Sequence, residues 1–168
     1  GRTGVSRLKD LIFGSMAPKL ADKIKHIPTI IVGGRPISRK ILIALDESIE
    51  AMRGVSSTGA LAGHCDPEIT LCHCLKFPAM SRIAKGPPDT TEGGQGWREY
   101  NENRFKPYMD EATQRLLDAG INADRISRDF IAVKGNTIHK IVETAFSGDF
   151  GTSVVGCREV ISFAQEHF

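Results

Sequence analysis

Gly1, Gly4 and Gly14, with Ser15 directly after the last of them, are the residues of this chain whose types and spacing best suit a ligand. Two nearby glycines let the backbone approach an anion with no Cβ in the way. A third glycine ahead of a helix leaves the first N–H groups and the positive end of the dipole facing a phosphate. Ser15 can add a hydroxyl donor, and it can equally cap the helix that follows. The chemistry offered is phosphate binding, and a glycine-bearing loop with a serine cap accounts for the same residues without a ligand.

Other side chains invite chemistry more weakly. Asp46 and Glu47 follow an apolar run; such a pair suits Mg²⁺ beside a triphosphate, and acidic residues after a strand also cap the next helix. Cys72-His73-Cys74, with His64 and Cys65 nearby, could hold a metal. On a strand, however, Cys72 and Cys74 share one face and His73 points to the other. No CxxC partner exists elsewhere, so small thiols in a core strand are the better account, and no metal ligand is named. His139 sits beside Lys140 on a solvated helix face, and His26 ends a helix, where a cation is favourable. The chain carries no GxSxG or HExxH motif, nor HxGH or SGGxDS. No catalytic residue follows, and any hydrolysis would be slow. Trp97 and Tyr100 could cover a ligand or pin a loop to the core.

The elements that must position these residues read as alternating strands and helices. Residues 15–26 read as a helix, with Met16, Leu20 and Ile24 at helical spacing, and residues 29–33 as a buried strand. Gly33, Gly34 and Pro36 mark a linker. Strands are expected at 41–45, 69–75, 126–133 and 152–156. Helices are expected over 48–64, along the face Phe105, Tyr108, Met109, Ala112, Leu116 and Leu117, and over 137–146, with Ile138, Ile141, Val142 and Ala145 turned inward. Residues 78–96 have no usable period and read as an irregular loop, with Pro107 in the first turn of the next helix or kinking it. Such alternation predicts an α/β fold, a doubly wound open parallel sheet with helices on both faces, which takes ligands at its topological switch point.

The chain has 168 residues, about one domain, and is 40% hydrophobic and 25% charged. A net charge of +2, with the positive residues scattered, gives no reason to expect nucleic acid as partner. No apolar run approaches the roughly 20 residues of a membrane span. With no apolar signal core and only 4 cysteines, a cytoplasmic location with reduced thiols is expected.

The opening stretch GRTGVSRLKDLIFGS resembles the nucleotide-binding signature of the universal stress protein family. The segment GSMAPKLADKIKHIPTIIVGG resembles that family's final helix and strand. ILIALDESIEA resembles its first strand, ending in an aspartate, and EITLCHCL its second. RLLDAGI, GNTIHKIVETA and GDFGTSVVGCRE follow in the family's order. The resemblance implies a five-stranded Rossmann-like sheet in the order 3-2-1-4-5. It also implies an adenine nucleotide, ATP or a relative, as ligand. Gly1, Gly4, Gly14 and Ser15 would lie at the phosphates and Asp46 near the nucleoside, the two meeting only by permutation or by exchange between chains, since they fall in different domains of the family pattern. Dimerisation through the last strand, here 29–33, is implied as well.

Residues 1–33 look like the end of one stress-protein domain, 34–39 like a linker, and 40–168 like a second domain lacking its last helix and strand. That is the pattern of a partial tandem protein. In the alternative, residues 1–33 fold back onto 40–168 as in a circular permutant; residues 34–40 would then have to span a strand length with a reach of roughly 23–25 Å. The second domain's signature is degenerate: Gly156, Cys157 and Arg158 are followed by Glu159 where glycine is wanted. A like charge near a phosphate costs about 4 kcal/mol at 4 Å and an effective dielectric of about 20. One intact and one degenerate nucleotide signature are therefore expected. The competing expectation is a nucleotide-free module of the same family that dimerises or binds proteins.

Overall fold

Short apolar runs bounded by turn residues become central strands, covered on both faces, while alternating or short runs such as ISRDFIAV and TSVV take the edges. In the computed structural model, which describes Lys23 and residues 27–30, 38–76 and 92–156, these runs form β1 (Lys40–Leu45), β2 (Glu68–Lys76), β3 (Ile126–Val133) and β4 (Thr152–Val155). All are parallel, in the order β3-β2-β1-β4. The central strand β1 pairs with β2 from Lys40↔Glu68 to Leu45↔His73, and with β4 from Ile41↔Thr152 to Ala44↔Val155. The chain divides into two units, Ile37–Gly156 and Gly1–Pro36 with Cys157–Phe168, and the sheet belongs to the first.

Among the described residues, three α-helices lie between the strands: α1 (Ile49–Ala62), α2 (Glu92–Asp118) and α3 (Thr137–Ser147). α1 and α2 pack on each other and on one sheet face. Ile43, Leu45, Ile69 and Leu71 point into that layer and meet Val55 of α1 and Phe105, Met109, Ala112 and Leu116 of α2. Gly59 permits the close approach, since a Cβ there would come within 2.7 Å of the Ala119 Cβ. Alternation along the strands turns Leu42 and Cys72, both buried, to the opposite face, where α3 packs over β2. The crossover from β3 to β4 passes two strands, so the sheet is doubly wound, as the alternation predicts.

Two expectations need correcting. Of the irregular loop expected over 78–96, residues 78–91 lie outside the described residues and 92–96 are helical, well before Phe105, and Pro107 is interior to that helix rather than in its first turn. The buried stripe Phe105, Met109, Ala112 and Leu116 anchors the C-terminal half. Nearer the start, Arg98 pairs with Glu102 at 2.6 Å. Pro107 faces solvent, so the Asn103 carbonyl that loses its N–H partner lies on the watered side. Second, on α3 only part of the expected inner face turns inward: Ile141 and Ala145 are half-buried, whereas Ile138 and Val142, with Phe146, are exposed. The helix carries a wider apolar arc than its contact with β2 covers.

Lys23, within the expected 15–26 helix, is helical. Of the expected strand 29–33, Thr29 and Ile30 lie outside any strand, and the rest falls outside the described residues. Among the described residues, no helix is long and apolar enough to cross a membrane.

Candidate site at the switch point

The order in which the chain adds strands reverses between β1 and β4, and the region beyond the carboxyl ends of such strands is where a doubly wound sheet takes a ligand. Asp46 leaves β1 at that end. Its Oδ1 accepts from the Ser48 N–H at 3.0 Å and from the Ser48 hydroxyl. The Ser48 oxygen in turn accepts from the Ala51 N–H at 3.2 Å. Asp46 therefore stabilises the corner through the N-cap of α1, the role that competes with ligand binding in the sequence.

Gly156 follows β4 and approaches the same helix start. A Cβ at Gly156 would lie 2.7 Å from the Ala51 nitrogen, too close to be accommodated without movement. The end of β4 and the first turn of α1 are thus held backbone to backbone, and only glycine fits between them. The structure brings Asp46 and Gly156 to one corner of the fold. Gly1, Gly4, Gly14, Ser15, Arg158 and Glu159 lie outside the described residues.

Two further side chains join this corner, and sequence reasoning did not assign them there. Arg104 of α2 pairs with Glu47 at 3.1 Å, with both groups largely in solvent. Glu47 and Asp46 thus turn to different partners. His73 of β2 places its Nδ1 2.8 Å from the Leu45 carbonyl. Because a carbonyl only accepts, Nδ1 carries the proton. The ring stacks on Phe105 with centroids 3.5 Å apart and meets Phe130 edge-on at 6.3 Å. Burial lowers the His73 pKa from its ordinary value and Arg104 adds to that, against the opposing pull of the Leu45 carbonyl, Glu47 and Asp46. The imidazole is therefore neutral near pH 7. The signal for this residue was its odd position between Leu71 and Leu75, which turns it toward Phe105.

Alternation separates the remaining residues of the Cys72-His73-Cys74 run. Cys72 lies buried on the other face, where burial, the largest cause, pushes its thiol up to about 12. Burial raises Cys74 as well, so both are protonated thiols at neutral pH. Among the described residues, no three His, Cys, Asp or Glu side chains gather as ligands of one ion. Trp97 is half-buried and Tyr100 is exposed, both on α2. His139 is exposed on α3, as its setting predicts.

No family model matches the sequence, and no curated protein matches it. Solved structures do. A protein from the universal stress protein family of Burkholderia pseudomallei is 17% identical, with a TM-score of 0.50 over 74% of this chain and 85% of its own. Universal stress protein UspA from Lactobacillus plantarum is 15% identical, with a TM-score of 0.54 over 79% of this chain and 85% of its own. The parallel order β3-β2-β1-β4 and these two alignments lead to one conclusion: the chain has the universal stress protein fold.

Proposed function

We propose that the protein binds an adenine nucleotide, ATP or a close relative, and acts through it in stress response or signalling. The observation that supports this reading is the position of Asp46 at the carboxyl end of β1, beside the point where the strand order reverses. Asp46 is assigned to the nucleoside end of the ligand. Gly1, Gly4, Gly14 and Ser15 are assigned to the phosphate end, where exposed backbone N–H groups suit an anion. The signature that begins at Gly156 is the degenerate one, because the Glu159 carboxylate opposes a phosphate. The expected stoichiometry is one nucleotide per chain rather than two. In a tandem arrangement, with pairing through residues 29–33, Asp46 and the glycine set belong to different domains and share one ligand only by exchange between chains; in a circular permutant they share it within one sheet.

Calorimetric titration with ATP and with adenosine tests this assignment. Asp46→Asn keeps an oxygen for the Ser48 cap and removes the charge. It should weaken both ligands about tenfold or more, the usual loss for a charge-assisted hydrogen bond. Gly14→Val should weaken ATP and spare adenosine. Equal affinities for Asp46→Asn and the parent protein would remove Asp46 from the site. A second reading has its own observation: the exposed apolar stripe Ile138, Val142 and Phe146 on α3 suits a nucleotide-free module that binds proteins. Absence of any nucleotide binding by the parent protein would favour that module.

A further inference from the structure

The last pair of the β1–β2 ladder is Leu45 with His73. Beyond it β2 runs on to Lys76, while β1 turns away into Asp46 and the cap of α1. The turn in β1 therefore begins at the carbonyl to which His73 donates. Little freedom is left to the ring that makes this bond. Phe105 lies parallel to it, 14° from coplanar, and Phe130 stands across its edge at 77°. Phe105 is itself buried and stacked on Tyr108, so the platform is part of the packed α2 layer. A half-buried donor, oriented by its ring contacts, on the last carbonyl before a ligand-bearing turn fixes the direction of the next residue.

We propose that His73 is a positioning residue for this corner: its Nδ1–H bond, held in place by the stack on Phe105, fixes the last peptide of β1 and so aims Asp46 at the nucleoside. The proposal rests on the nucleotide reading above for its ligand, but the mechanical part stands on the fold alone. His73 touches no ligand in this account and acts only through the Leu45 carbonyl. Glu47 and Arg104 brace the outer side of the same turn by their ion pair.

Two substitutions separate the bond from the ring. His73→Asn can present an amide N–H near the position of Nδ1 but has no ring to stack. His73→Phe keeps the stack and deletes the donor. Adenosine titration should find His73→Phe several-fold to about tenfold weaker than the parent protein, the range of one hydrogen bond, with His73→Asn recovering most of the loss. A purely structural role predicts no such rescue, because His73→Asn damages the packing more. In parallel, the backbone amide resonances of Asp46, Glu47 and Ser48 should move in His73→Phe and return toward parent positions in His73→Asn. Parent-like affinity and unmoved amides in His73→Phe would overturn the proposal. If the parent protein binds no adenosine, the nucleotide reading fails, and the amide resonances alone decide the role of His73. If His73→Phe does not fold, the ring nitrogens of the parent protein decide it: an Nδ1–H tautomer supports the bond, and an Nε2–H tautomer contradicts it.

Discussion

At the scale of single residues, the candidate site is a corner held by short-range contacts, and its members were unevenly legible. Asp46 stood out because an acid after an apolar run has few structural uses, and both of those weighed were ligand or cap. Its capping bond to Ser48 was the bland alternative and is present. His73 was visible only as the wrong-facing member of a metal-like triplet; its partner Phe105 is 32 positions away, and no local pattern connects them. Gly156 was read as the start of a degenerate motif, whereas its demand for glycine comes from the Ala51 backbone, contributed by a distant helix. Gly156→Ala should cost roughly 1–3 kcal/mol, typical of overpacking, measured by urea unfolding. His73 also gives the protein a pH-dependent stability. Its folded pKa lies below the ordinary 6.5, so the unfolded chain takes up a proton first as pH falls. The contribution is complete above about pH 6.5 and is lost as pH drops through the window between 6.5 and the lower folded value. Unfolding midpoints at about pH 7.5 and about pH 5.5 should therefore differ more in the parent protein than in His73→Phe. Equal differences would contradict a buried neutral ring.

At the scale of elements, the strands were the most legible part of the chain. Apolar runs bounded by turn residues gave the central strands β1 and β2 almost to the residue, because both faces of an inner parallel strand demand apolar side chains, while β3 was read from its alternation and is exposed at Ser127, Arg128 and Asp129. The helices obeyed their apolar period only where it was complete. In α2 the stripe from Phe105 to Leu116 was readable, but the N-terminal turns were not, since Gly93, Gly94 and Gly96 each lower helix propensity by about 1 kcal/mol relative to alanine. Pro107 misled for the same reason: proline usually marks a first turn, and here tertiary packing on both sides holds the helix through it. Since the Pro107 side chain is exposed, Pro107→Ala restores a backbone donor without removing core contacts. It should stabilise the protein by about 1–3 kcal/mol, seen as a higher urea midpoint at unchanged slope. A loss of stability would mean that the Pro107 ring itself is needed by the α1–α2 layer. α3 shows the reverse limit. Its period gave the helix but not the rotation, because Ile138, Ile141, Val142 and Ala145 form an arc too broad to face one strand.

At the scale of the whole molecule, alternation of strands and helices gave parallel pairing and right-handed crossovers, whereas the strand order came only from the family resemblance, because alternation alone does not say whether the chain turns back across its first strand. β4 pairs with β1 on the side opposite β2, and this reversal of strand order puts Asp46 and Gly156 at one corner of the sheet. The glycine set Gly1, Gly4, Gly14 and Ser15 is legible only as a sequence motif, because loop glycines carry no periodicity that ties them to a particular strand end. The account therefore depends on whether the protein holds a nucleotide at all. The most direct measurement is to denature the purified protein, identify any released nucleotide by chromatography and mass spectrometry, and count it per chain, adding ATP first if none is carried. The account predicts close to one adenine nucleotide per chain. No release and no uptake of added ATP would contradict it, and two per chain would contradict the assignment of one signature as degenerate.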